Sequence, residues 1–216
     1  SEFLNTSSLS TVLTSIDVST DVEDIQGSVT TLDDLESGII IQNAMDLTGS
    51  ETAYMLAGGT SADTMTISDT NTVGSLMFGK SGDDTITGNS TSDQIIYGGA
   101  GADVIDAKGS SNGDSVFGGA DNDTIKVTVA TGDSSYDGGD DTDTLDYSGL
   151  GSAATFVVGA DSIAVSQGSG SNVSAENFEY VTGSDNGDTF TLTGDTSTNA
   201  LETITAGTGN DTFNIG

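Results

Sequence analysis

The chain has no cysteine, histidine, proline or tryptophan, and no arginine accompanies its three lysines, Lys80, Lys108 and Lys126. Without cysteine there is neither a disulfide framework nor a thiolate metal site, which leaves the redox compartment open. Zinc and copper lose their usual ligands, whereas an abundance of carboxylate and carbonyl oxygens suits calcium. Against the three lysines stand 34 acidic residues, for a formal charge of −31. A field of that sign excludes nucleic acid as a partner and disfavours anionic membrane surfaces. No apolar run approaches the length of a membrane span, so no membrane insertion is expected. Hydrophobic residues make up only 33% of the 216. That is too little for a thick core but enough for a narrow solenoid whose every coil buries a few side chains. Acidity on this scale is, taken alone, a mark of disorder. The fixed spacing of the aspartates, with β-branched residues beside them, argues for order instead.

What the sequence does have is a repeated glycine-rich turn ending in aspartate. The clearest copy is Gly98-Gly-Ala-Gly-Ala-Asp-Val-Ile-Asp106, which fits the nonapeptide G-G-x-G-x-D-x-U-x. Counting this one, the turns end at Asp63, Asp84, Asp93, Asp103, Asp114, Asp123, Asp133 and Asp143, the others being degenerate. An apolar residue follows two places later in most of them: Met65, Ile86, Ile95, Ile105, Val116, Ile125 and Leu145. Ile67, Tyr97, Val127 and Tyr147 add a second inward residue, giving the period-two alternation of strands with one buried face. A flattened roll has a turn on each side, so alternate turns share an edge. One edge then carries Asp63, Asp84, Asp103, Asp123 and Asp143, at steps of 21, 19, 20 and 20 residues, with room for one degenerate turn near Gly74. The opposite edge carries Asp93, Asp114 and Asp133. The first edge keeps its leading glycine in every turn: Gly58, Gly79, Gly98, Gly118 and Gly138. The second has lost the glycine pair throughout, so its turns are expected to close by Ser, Thr and Asn hydrogen bonds.

The repeat breaks over 148–182, with strand-like Ala154–Val158 and Ser162–Val165 followed by Asn177-Phe-Glu-Tyr-Val-Thr-Gly183. Turns resume at Asp188 and Asp211. Asp21-Val-Glu-Asp-Ile-Gln-Gly27 repeats the Asn177–Gly183 pattern 156 residues earlier, Glu23 against Glu179. Thr31–Glu36 reads as a capped helical turn and Gly38–Ile41 as a strand leading into the solenoid. The organisation expected is therefore a cloning-site remnant at 1–3, a β-rich lead-in at 4–57, a repeat block at 58–147, a non-repeat β insertion at 148–182 and a second, truncated block at 183–216. The chain is expected to be a piece of a longer protein.

These turns resemble the repeats-in-toxin (RTX) family of calcium-binding nonapeptide-repeat proteins, as found in large bacterial surface-layer proteins and adhesins. The resemblance covers 58–147 closely and 183–216 more loosely. It implies an all-β, right-handed parallel β-roll with several Ca2+ ions, most of them between stacked turns of one edge. Transferred turn by turn, it places ions between 63/84, 84/103, 103/123 and 123/143. The candidate metal residues are Asp63, Asp84, Asp103, Asp123, Asp143, Asp188 and Asp211, with Gly58, Gly79, Gly82, Gly98, Gly99, Gly101, Gly118, Gly119, Gly138, Gly139 and Gly209. Asp121 and Asp141 stand where the pattern has its fourth-position glycine, and are ligands or rim residues.

The resemblance further implies type I secretion and folding outside the cell, where calcium is plentiful. The leading expectation is a structural module of a secreted bacterial cell-surface protein, a surface-layer subunit or a large adhesin. Its expected partners are calcium, neighbouring copies or repeats, and surface polysaccharide. The alternative is the C-terminal calcium-binding tail of a type I-secreted enzyme. Neither places catalytic or organic-cofactor residues in this chain, since without His, Cys or Arg only carboxylates remain for acid–base work. A minor alternative is ice or crystal-surface binding through outward rows of Thr64, Thr85, Thr124, Thr144, Thr189 and Thr212, with Thr66, Thr87 and Thr191 beside them. Good β formers on a solvated strand face explain those threonines equally well.

Overall fold

The computed structural model describes residues 39–41, 54–67, 74–109, 113–128, 132–160, 162–167, 173–193 and 201–216. These form an all-β solenoid of stacked coils with two sheets. The longer sheet has the order β1 (Ile39–Ile41), β2 (Tyr54–Ala57), β4 (Ser75–Ser81), β6 (Gln94–Ala100), β8 (Ser115–Ala120), β10 (Ser135–Gly139), β14 (Val173–Glu176), β13 (Ile163–Ser166), β12 (Thr155–Val158), β16 (Thr189–Leu192), β18 (Thr212–Ile215). The shorter sheet runs β3 (Thr64–Thr66), β5 (Thr85–Thr87), β7 (Val104–Asp106), β9 (Thr124–Lys126), β11 (Thr144–Asp146), β15 (Tyr180–Thr182), β17 (Thr203–Thr205). The coils pair in parallel, as a chain winding in one sense requires. Among the described residues, only β1 with β2 and the β12–β13–β14 excursion pair antiparallel. The Asp21–Gly27 copy of the Asn177–Gly183 pattern and the turn expected at Thr31–Glu36 lie outside the described residues.

The core is a set of columns, one residue per coil. Met65, Ile86, Ile105, Ile125, Leu145 and Val181 stack from the shorter sheet, facing Leu56, Met77, Ile96, Val116 and Tyr136 from the longer one. Ile67, Ala107, Val127 and Tyr147 form a further inward column. Each buried aliphatic or aromatic side chain contributes roughly 1.5–3 kcal/mol relative to exposure. Stability is therefore spread along the axis rather than concentrated at a centre.

Two inward assignments from sequence are corrected. Ile95 and Tyr97 face outward, 43% and 38% exposed, while Ile96 is fully buried. Gln94, not Asp93, pairs in register with Ser75 and lies beside Asp114, so the strand runs one residue out of the expected phase. Tyr97 instead joins an outer ladder, stacked on Phe78 at 5.2 Å and on Phe117 at 4.8 Å. The threonine rows are also corrected. Thr64, Thr85, Thr124 and Thr144 do align across the shorter sheet, interrupted by Val104, but Thr189, Thr191 and Thr212 belong to the longer sheet.

Candidate functional site

The first-edge turns leave the longer sheet and enter the shorter one. Their aspartates stack because the following strands do: Thr85, Val104, Thr124 and Thr144 each donate a main-chain N–H to the carbonyl of Asp63, Asp84, Asp103 and Asp123, at 2.8–2.9 Å. A second series runs the opposite way through side chains. The N–H groups of Asp63, Asp84, Asp103 and Asp123 donate to Oδ1 of Asp84, Asp103, Asp123 and Asp143, at 2.7, 2.7, 2.8 and 2.7 Å. Each coil thus closes the turn before it.

The other carboxylate oxygen is the informative one. Oδ2 of Asp84, Asp103, Asp123 and Asp143 is buried and has no hydrogen-bond partner, in residues at most 1% exposed. At Asp63 the same atom accepts the Gly59 N–H at 2.6 Å. A buried ionised oxygen without a donor is expensive. Here it recurs four times, in register, at the atom type calcium prefers. Each of the four packs against the leading glycine of its own turn, beside a main-chain carbonyl of the next coil. A Cβ added at Gly79, Gly98 or Gly118 would lie closer than 3.0 Å to both oxygens. Gly58 and Gly138 are equally confined, Gly58 against Asp63 and Gly79, Gly138 against Asp143 and Asn177. The second and fourth turn positions adopt positive φ, at Gly99, Gly119 and Gly139 and at Gly82 and Gly101. Asp121 and Asp141 keep that backbone, at φ 75° and 80°, a region aspartate tolerates better than most residues. Both are exposed, and with Asp83, Gly101, Ala102 and Asn122 they line a shallow acidic groove along the rim.

Burial raises these carboxyls above the usual range: Asp103 and Asp143 to about 6, Asp123 to about 7, and Asp84 upward as well. The main-chain donors oppose the shift, and neighbouring carboxylates add to it. Among the described residues no three acidic side chains are grouped closely enough to hold a metal ion by themselves. An ion between two coils would accordingly be held by one or two carboxylates and by main-chain carbonyls.

The second edge is built differently, and its register corrects the ladder read from sequence. Asp114 aligns with Gln94 and Ser134, while Asp93 and Asp133 fall outside the row, beside Gly74 and Gly113. Asp114 Oδ1 accepts the Gln94 N–H at 2.9 Å, and Ser134 Oγ accepts the Asp114 N–H at 3.0 Å. Asn89 Oδ1 gathers Thr91 N–H, Ser92 N–H and both hydroxyls at 2.9–3.1 Å. This is the polar closure expected where the glycine pair is missing. Asn89→Ala is expected to lower stability by about 1–3 kcal/mol through the donors it strands. Denaturant melts should show that loss, while the number of calcium ions bound stays unchanged.

Beyond the insertion the acidic turns change edge. Asp188 and Asp211 precede β16 and β18 of the longer sheet, so they lie on the second edge, away from the Asp63–Asp143 row. Asp188 Oδ1 accepts the Ala154 N–H at 2.7 Å, and Asp211 Oδ1 the Asp188 N–H at 2.9 Å. Asp188 Oδ2 is already satisfied by the N–H and hydroxyl of Ser184. Gly207 and Gly209 reproduce the positive φ of the first-edge turns. The first-edge row itself continues through a residue that the sequence reading left out. Glu179 stands beside Asp143, and its Oε2 accepts the Asp143 N–H at 2.6 Å. The signal was present, since Glu179 precedes inward Val181 as Asp143 precedes inward Leu145.

A parallel solenoid with one buried carboxylate per stacked glycine turn is a calcium-type β-roll. The comparison with protein families agrees: the family described as RTX calcium-binding nonapeptide repeat (4 copies) matches over residues 78–112, 108–126 and 198–214. The matched stretches are similar to RTX repeats and indicate a calcium-binding module of the kind typical of secreted proteins. No curated protein matches it. The turns ending at Asp63 and Asp143, outside the matched stretches, share the ladder geometry of those inside.

Proposed function

We propose that this chain is a calcium-dependent structural module of a bacterial cell-surface protein, a surface-layer subunit or large adhesin, which folds on meeting extracellular calcium. The observation that carries the reading is the set of four buried, donorless carboxylate oxygens repeated in register. Calcium, when bound, supplies the positive charge those oxygens lack and accepts six to eight oxygen ligands. The chain's part is to present Asp84, Asp103, Asp123 and Asp143 with carbonyls of the adjacent coils, held open by the leading glycines. Without the ion, the carboxylates oppose coil stacking, and with it, binding free energy becomes folding free energy. The module is proposed to be non-catalytic, with its residual negative charge available for calcium-bridged contacts between copies or to surface polysaccharide.

Far-UV circular dichroism during calcium titration of chelator-treated protein tests this, with magnesium as control. β signal that appears with calcium, between micromolar and millimolar, and not with magnesium supports the reading. Full β structure in chelator, unaffected by calcium, would make the solenoid metal-independent and overturn it.

A further inference from the structure

We propose that the seam between the repeat block and the insertion is itself a divalent-cation site, holding calcium between the Asp143 turn and the segment Asn177-Phe178-Glu179. The inference rests on the calcium reading of the ladder and extends it to an interval that no nonapeptide marks. Asp143 Oδ1 faces backward, accepting the Asp123 N–H, so the buried and unpartnered Oδ2 is the atom left for the forward side. There it packs against Gly138 together with the carbonyl of Asn177. In the earlier intervals the corresponding carbonyls belong to Gly98, Gly118 and Gly138, paired with Oδ2 of Asp84, Asp103 and Asp123. The strand register agrees, because β10 and β14 pair Asp137 with Glu176, which sets Gly138 beside Asn177.

The turn that follows is abbreviated. Four residues separate Gly138 from Asp143, but only Phe178 separates Asn177 from Glu179. The acid at its end is a glutamate, whose extra methylene gives the carboxylate the reach that the shortened backbone lacks. It reaches far enough for Oε2 to accept the Asp143 N–H, as each aspartate does for the coil before it. The short turn is well anchored. Phe178 is 1% exposed in the core, Asn177 has φ 58°, and its Nδ2 donates to Asp137 Oδ1 at 2.7 Å. With fewer backbone carbonyls available from three residues than from six, water would complete the shell. This site is therefore the weakest of the ladder and the last to fill. The irregular oxygen set and available water suit calcium better than magnesium, which demands near-octahedral geometry.

The test is calcium stoichiometry and affinity of the full chain by isothermal titration, comparing Glu179→Gln with Asp103→Asn. The glutamine keeps an oxygen for the Asp143 N–H but removes the charge. Loss of one calcium equivalent in E179Q, or weakening of the weakest class by about tenfold or more, supports the seam site. Unchanged binding in E179Q while D103N loses calcium overturns the seam and leaves the ladder standing. Unchanged binding in both overturns the calcium reading and the seam with it. Should E179Q not fold in calcium, Glu179→Asp carries the test. Its carboxylate is too short for the abbreviated turn, so the weakest class should weaken in the same way, and undiminished binding would overturn the seam.

Discussion

Gly98→Ala is expected to remove calcium-dependent stability from the centre of the ladder. Its added methyl would lie closer than 3.0 Å to Asp103 Oδ2 and to the Gly118 carbonyl, neither of which can withdraw without breaking the row. No positive φ is involved at this position, so the effect is steric and falls on the two oxygens proposed to face the ion. Overpacking alone costs about 1–3 kcal/mol, and the calcium contribution of the two flanking intervals is lost in addition. Gly151→Ala provides the contrast, because nothing lies within 4 Å of a Cβ there. Melting temperatures measured over a range of calcium concentrations separate the two. G98A should melt far below the parent at saturating calcium and gain less from each increment of calcium, whereas G151A should track the parent throughout. Equal calcium stabilisation in G98A and the parent would show that the glycine-lined oxygens are not where calcium acts.

The second large effect is a pH dependence of the calcium-free protein that runs opposite to that of most acidic proteins. In the coils Asp103 and Asp143 keep their protons to about 6 and Asp123 to about 7, while in the unfolded chain each titrates near 3.8. Below 3.8 both states are protonated and these carboxyls do not oppose folding. As pH rises from there, the unfolded chain ionises first and the folded chain resists, so stability falls, with the full penalty reached above about 7. Circular dichroism in chelator should accordingly show β structure gained on acidification from neutral pH towards pH 4. Saturating calcium should reverse the trend, since protons compete with the metal for the same oxygens. A β content in chelator that is flat, or that rises with pH, would remove buried carboxylates as the obstacle to folding.

How much of this was legible depends on which residues carried the period. The first edge was readable because glycine and aspartate both recur together at steps of 19–21. On the second edge the steps Asp93 to Asp114 to Asp133 average the coil length as well as the observed row Gln94, Asp114, Ser134 does. Choosing by residue type favoured the aspartates. A slip of one residue turns a strand over, which is why Ile95 and Tyr97 were expected inside and Ile96 was not named. Glu179 escaped because its turn is half the usual length and ends in the longer acid. The change of edge at Asp188 follows from a tertiary event. Strands β13 and β12 are interposed between β14 and β16 in the longer sheet, while β15 follows β11 directly in the shorter one. Local sequence does not say which strand of an antiparallel excursion will sit on the existing sheet.

The ladder of carboxylates also has a sense of travel. From Asp84 to Asp143 every side chain reaches back to its predecessor's N–H, and Glu179 reaches back to Asp143. The N–H of each turn aspartate is therefore capped by the side chain of the next coil and not of the one before. Injury propagates accordingly: truncating Asp103 strands the amide of Asp84 upstream and leaves that of Asp123, held by Asp143, intact. Order in such a molecule is handed from the later coil to the earlier one, so an intact downstream neighbour is the condition for each turn to set.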